Sequence, residues 1–246
     1  MSKVRRVPAV PERPACQEVI AVTGVNMTGV KANPVRLEAR LDLPVSRWLW
    51  LVKWLLAIPH WIVLCFLWAA FFLLTVVVFF AVLVTGAYPR WIFDFNLGVL
   101  RWTWRVSYYS YGGLGTDRYP PFSLGEEPDY PATLAVARPE RLSRGLVLVK
   151  WWLLAIPHYA VLGFLLGGAG DRGGGGLIGL LALFAGVSLA FTARYPTGIF
   201  DLIVGLNRWV FRVVAYATLM TDVYPPFRLD QGATDPAGEP MPAPGR

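Results

Sequence analysis

The chain repeats itself, and that duplication limits its fold more than any other feature. "NPVRLEARLDLPVSRWLWLVKW" (33–54) returns as "YPATLAVARPERLSRGLVLVKW" (130–151) at a shift of 97. "WLLAIPH" (54–60) returns at a shift of 98, "YPRWIFDFNLGVLRWTWR" (88–105) returns as "YPTGIFDLIVGLNRWVFR" (195–212) at 107, and "TDRYPPFSL" (116–124) returns as "TDVYPPFRL" (221–229) at 105. The shift changes only where residues are inserted or lost. The fold is therefore two copies of one unit of roughly 95–100 residues. The division reads as a basic, Pro-rich tail (1–33), repeat 1 (34–124), a linker (125–130), repeat 2 (131–229) and a Pro/Gly-rich tail (230–246). Both tails are expected to be disordered, and the first lacks the apolar core of a signal peptide.

Each unit is strongly apolar. The chain is 55% hydrophobic and 16% charged, with a mean hydropathy of +0.47; soluble domains carry about 25% charged residues. Eleven Trp, ten Tyr and fourteen Phe fit aromatic belts at the two faces of a bilayer. A net charge of +7 points to cytosolic loops facing anionic lipid, not to nucleic acid. Cys16 and Cys65 are too few for a disulfide framework, and Cys65, within an apolar run, reads as a small core residue.

Within a unit the pattern changes twice. Val35, Leu37, Ala39, Leu41 and Leu43 alternate with Arg36, Glu38, Arg40 and Asp42, the period of a half-buried strand. The copy at 132–137 is shorter and stops before Pro139. With extended segments around Phe122 and Phe227, these strands could form a small sheet at the membrane surface. An apolar run follows at 48–86. A bilayer core needs only about 20 helical residues. In repeat 2 "GGAGDRGGGG" (167–176) interrupts the run, since lipid-exposed helix cannot continue through it. Repeat 1 is then expected to turn near Trp68 to Phe72; the alternative is one long helix kinked near Pro59. The third segment, 89–111, opens on Pro89, which suits a first helical position. Asp94, Gly98, Arg101 and Arg105 line one face of it, and repeat 2 carries the same stripe as Asp201, Gly205, Arg208 and Arg212. Charges at mid-bilayer are costly, so this helix is expected to lie flat at the interface, with Trp91, Trp102 and Trp104 at headgroup depth.

"LVKWLLAIPH", "YPRWIFDF", "LRW…R" and "YPPFSL", in that order, resemble the bacterial membrane family known only as domain of unknown function 4389. The resemblance covers about 34–124 and 131–229. It implies an integral membrane protein, often duplicated, with no assigned activity and no catalytic residues. Thr197 stands where the family's usual basic residue is matched by Arg90 in repeat 1.

The resulting fold class is an all-α integral membrane protein: two tandem repeats, each a transmembrane helical hairpin plus an amphipathic interfacial helix, with short strands at the surface. With two spans per repeat, all 23 Lys and Arg except Lys53, Lys150 and Arg172 fall on one side. The positive-inside rule makes that side, with both termini, cytosolic. The localisation read from this is the bacterial cytoplasmic (inner) membrane, multi-pass; three spans per repeat is the competing count.

Four ionisable residues lie inside the apolar runs: Lys53, His60, Lys150 and His158. A lysine close to the end of a span can snorkel to the headgroups. His60 could satisfy a group near the Pro59 kink, Asp94 among them, or form a proton-sensitive pair with His158. Two histidines without clustered Cys or acids do not make a metal site. The stripe reads as structural pairing, with Asp94 to Arg208 and Asp201 to Arg101 across the units; as anionic-lipid binding by the four arginines; or as part of a transport path. The YPPF motifs read as extended exit segments anchored by Tyr119, Tyr224, Phe122 and Phe227.

No nucleophile–base set, phosphate loop or metal motif is visible, so neither an enzyme nor a cofactor is expected. The sequence therefore favours a non-enzymatic membrane scaffold or accessory subunit, engaging anionic lipid, a membrane-protein partner or a second copy through a basic face. The alternative is a transporter or channel component that uses the intramembrane Lys and His and the Asp/Arg stripe.

Overall fold

The structure is a computed structural model that describes residues 33–167 and 176–235. It is mostly helical, with one two-stranded sheet. The first tail up to residue 32, the second from 236, Cys16 and the loop carrying Arg172 lie outside the described residues.

The opening strands of the two repeats pair with each other. β1 (Val35–Ala39) runs antiparallel to β2 (Ala132–Val136), with Leu37 opposite Leu134. Val35, Leu37 and Ala39 are buried and Glu38 is exposed, as alternation dictates. Pairing ends where the Arg40 amide turns to the Pro131 carbonyl at 2.8 Å. Two strands alone are marginal in water. This pair survives because its apolar face rests on two helices, Arg90–Tyr109 and Thr197–Ala217. The YPPF segments are irregular and do not join the sheet.

Repeat 1 continues as α1 (Trp50–Thr85), a single helix of 36 residues. The expected turn near Trp68 to Phe72 does not occur. No Gly, Pro or Asn marks that position, and a turn there would free backbone groups with no polar partner nearby. The helix stops at Gly86, whose φ of 72° is the left-handed cap glycine accepts without strain, with its amide bonded to the Val82 carbonyl. α2 (Arg90–Tyr109) then packs back along α1. Cys65, expected in the core, is exposed on α1.

Repeat 2 covers the same ground in pieces. α3 (Arg144–Val149) runs into a π-helical turn (Lys150–Leu154), then α4 (Ile156–Leu166), α5 (Leu177–Thr192) and α6 (Thr197–Ala217). The π turn has a sequence cause. "KWWLLAIPH" carries one residue more than "KWLLAIPH", and a wide turn absorbs a single insertion while keeping flanking residues on their original face. Lys150 and His158, eight apart, are consequently as fully buried as Lys53 and His60, seven apart. The chain bends by 47° between Arg144–Leu154 and Ile156–Leu166.

Among the described residues one helix, α1, is long and apolar enough to cross a membrane, or two if the bent pair counts as one; α5 is shorter. The four spans expected from composition are not reached, because the first apolar run stays one helix. The two helices expected to lie flat at an interface, with their tryptophans exposed, are largely buried among the described residues. Trp102 and Trp104 are buried and only Trp91 is exposed. α2 and α6 are covered on one side by the sheet and on another by α1 and α5. Trp104 packs on Phe211 across the repeats at 5.6 Å between ring centroids, and the Tyr195 hydroxyl donates to the Gly113 carbonyl at 2.5 Å.

Candidate functional site

The lysine, proline and histidine of each apolar run are explained by what crosses over them. Lys53 sits one turn into α1 and is fully buried. Its Nζ donates to the Thr116 carbonyl at 2.6 Å and pairs with Asp117 Oδ1 at 2.9 Å. The other oxygen of that carboxylate, Oδ2, accepts the Ser46 amide at 2.5 Å. The Tyr109 ring lies 5.2 Å from the ammonium. Repeat 2 reproduces each contact: Lys150 Nζ to the Thr221 carbonyl and to Asp222 Oδ1, both at 2.8 Å, the Ser143 amide to Asp222 Oδ2 at 2.6 Å, and the Tyr216 ring at 5.1 Å. Neither lysine snorkels. Each is neutralised in place by the acid of the TD pair before YPPF, the arrangement a buried charge requires.

Two turns further on, the histidine receives the aromatic end of the same strap. His60 stacks on Phe122 with ring centroids 3.9 Å apart and 19° between planes, next to Tyr119 at 4.8 Å. Trp102 Nε1–H donates to His60 Nδ1 at 3.1 Å, which fixes that nitrogen as an acceptor. The Tyr119 hydroxyl donates to the Leu56 carbonyl at 3.1 Å. His158 stacks on Phe227 at 4.4 Å and 18°, beside Tyr224 at 4.9 Å and Trp209 at 5.2 Å. Trp209 makes no equivalent bond, and both ring nitrogens of His158 lack partners. Asp94, a suggested partner of His60, is exposed on the far helix.

The arginine stripes hold the next stretch of strap and, across the repeats, the sheet. Arg101 Nε donates to the Leu134 carbonyl of β2, and Arg208 Nε to the Leu37 carbonyl of β1, both at 3.0 Å. Each repeat's arginine therefore grips the other repeat's strand. Gly98 and Gly205 lie where the straps cross. A Cβ on Gly98 would come within 2.8 Å of the Leu124 carbonyl oxygen, and one on Gly205 within 3.2 Å of that of Asp230. Arg105 donates to the carbonyls of Gly125, at 3.1 Å, and Ser123. Arg208 reaches the Asp230 and Gly232 carbonyls, and Arg212 pairs with Asp230 at 2.6 Å and Asp235 at 3.0 Å. Residues 230–235, assigned to the second tail by composition, thus belong to the fold.

The suggested pairs of Asp94 with Arg208 and Asp201 with Arg101 do not form. Both arginines face straps and sheet, and among the described residues neither aspartate makes an ion pair. Burial pulls the Arg105 guanidinium below arginine's usual range, with Glu127 pulling back less strongly. Burial likewise pushes the Tyr130 phenol up, the Arg105 charge opposing it. Among the described residues no group of His, Cys, Asp or Glu could hold a metal ion.

Sequence reasoning missed Asp117, Asp222, Asp230, Asp235 and the partner aromatics Trp102, Tyr109, Trp209 and Tyr216. A signal for the first two was present: an acid repeats wherever the buried lysine repeats. The fold and clamps together define a tandem-duplicated helical protein in which each copy fastens its own strap to its own long helical segment. Residues 47–123 and 148–228 match the family described as domain of unknown function (DUF4389), and the chain belongs to that family, with two tandem copies. No curated protein and no solved structure matches it.

Proposed function

We propose that the protein is a non-enzymatic scaffold or accessory subunit embedded in the bacterial cytoplasmic membrane, engaging anionic lipid or a membrane partner through a basic cytosolic face. The observation that carries this reading is the outer surface of α1. Lys53 and His60 are its only ionisable side chains apart from Cys65, and both point inward. What faces out is apolar along the whole length, with Phe66 74% exposed and, in repeat 2, Phe191 86% exposed. Water on such a surface costs about 25 cal/mol per Å², whereas lipid removes that cost. At 36 residues the helix is about 54 Å long, more than the roughly 30 Å hydrocarbon core requires, so one end stands clear of the bilayer.

Two features support a scaffold over a transport path. The buried lysines are committed to their own straps, and the stripe arginines to backbone carbonyls and strap acids. The lysines and the repeat 2 arginines are thus not left to exchange partners with a cargo. The reading is tested by alkaline extraction of native membranes and by flotation of purified protein with vesicles of phosphatidylglycerol or of phosphatidylcholine. Retention with the lipid pellet and a preference for phosphatidylglycerol that salt weakens are expected. Release by alkali would overturn the membrane assignment, and equal flotation with both lipids would overturn the anionic-lipid role.

A further inference from the structure

The two arginine stripes are equivalent in sequence but differ in what answers their charge. In repeat 2, Arg212 is paired with Asp230 and Asp235, and Asp235 also lies 3.5 Å from Arg208 Nε. In repeat 1, Arg105 is 2% exposed and receives only the carbonyls of Gly125 and Ser123. Among the described residues no carboxylate pairs with it; its Nε has no acceptor, as is also true of Arg212, so the missing carboxylate is the difference between the repeats. The sequence gives the cause. At the shift of 105 that aligns the YPPF motifs, Asp230 corresponds to Gly125 and Asp235 to Tyr130. Where repeat 2 has a carboxylate, repeat 1 has space: a cavity of about 280 Å³ lined by Arg101, Arg105, Gly125, Glu126, Glu127 and Thr133. Glu126 pairs with Arg101 while its side chain stays 64% exposed.

We propose that this cavity binds a small oxyanion, a phosphate group either free or on an anionic lipid, between Arg101 and Arg105. The anion takes the place that Asp230 occupies in repeat 2. A buried guanidinium that no carboxylate touches directly, with Glu127 acting on it only from a distance, is unfavourable, and a phosphate supplies both the charge and acceptors for charge-assisted hydrogen bonds. Binding requires Glu126 to swing off Arg101 into water, which its exposure permits. Glu126 and Glu127 oppose the incoming anion, so the site is selective for ligands that can make two bonds or more. Only the lipid source of the anion rests on the membrane reading above; the site itself does not.

The test uses the full-length protein in mild detergent, inorganic phosphate titrated by calorimetry, and flotation with phosphatidylglycerol or phosphatidylcholine vesicles. Gly125→Asp supplies the missing carboxylate. Its Cβ meets only the Ser123 hydroxyl, at 3.3 Å, and that group can rotate, so the variant folds. Phosphate affinity should fall at least about tenfold, as for loss of one charged hydrogen bond, while the melting temperature in phosphate-free buffer rises. Glu126→Gln should strengthen phosphate binding about threefold or more, by removing a competing charge from the rim. Absence of phosphate binding in the wild type, or unchanged affinity in both variants, would overturn the site. Phosphate binding that follows the variants without any vesicle preference leaves the site standing as one for a free anion and removes the lipid role. Vesicle preference with phosphate affinity that ignores both variants leaves the lipid role standing and removes the site.

Discussion

Repeat 1 and repeat 2 close the same clamp on different long segments. In both, a lysine, a histidine and two aromatic rings hold a strap that begins Thr-Asp and ends Tyr-Pro-Pro-Phe. In repeat 1 the clamp grips one unbroken helix; in repeat 2 it grips a helix widened by a π turn and followed by a glycine-rich break. The lysine contacts agree between copies within 0.2 Å for the carbonyl and 0.1 Å for the carboxylate. What varies lies outside: His158 lacks the tryptophan bond that His60 accepts, and Gly125 stands where repeat 2 has Asp230. Insertions are tolerated in the helix provided that the Lys and His faces stay aligned. The clamp therefore sets the register of each repeat, and the helix accommodates it.

The comparison breaks most sharply at the acids. Asp117→Asn or Asp222→Asn leaves a fully buried ammonium without its counter-charge, and each should cost about 3–5 kcal/mol, nearer the lower figure because both carboxylates are a quarter exposed. Equal losses in thermal melts in detergent would confirm that the copies share one clamp. The crossing glycines should separate the repeats next. Gly98→Ala forces a methyl to 2.8 Å from a backbone oxygen and should cost about 1–3 kcal/mol, whereas at Gly205 the approach is 3.2 Å and the gain in helix propensity, up to about 1 kcal/mol, should nearly cancel it. His60→Ala should then exceed His158→Ala by about 1 kcal/mol, since only His60 leaves an indole N–H without an acceptor. The smallest effect belongs to the π turn. Deleting Trp152 restores the repeat 1 spacing and should change stability by less than about 1 kcal/mol. A large loss would mean that the wide turn is required for itself.

Much of this was legible in the sequence. The duplication gave the two-fold organisation. Alternation at 35–39 placed β1 with its buried face correct, and the four-three-four spacing placed the stripe on one face of α2 and α6. The partners of those residues were not legible, because they are set by tertiary contacts. Lys150 finds its acid 72 residues away, and a lysine near the start of an apolar run has the same local pattern whether it snorkels or is clamped. The hairpin expected in repeat 1 failed for a related reason. Repeat 1 has no breaker residue where repeat 2 has its glycine run. The exposure expected of Trp102 and Trp104 on α2 is not found, because the pattern shows that one face is polar without showing that straps and a sheet cover the helix.

The central claim, that a buried Lys–Asp pair fastens each strap to its helix, is tested most directly by a double-mutant cycle on Lys53 and Asp117, followed by thermal unfolding in detergent. Asp117→Asn leaves the ammonium unpaired, Lys53→Met leaves the carboxylate unpaired, and the double variant removes both charges. The account predicts a double variant more stable than the sum of the single losses by at least about 1 kcal/mol. Additivity within about 0.5 kcal/mol would contradict it, because Lys53 and Asp117 would then not depend on each other.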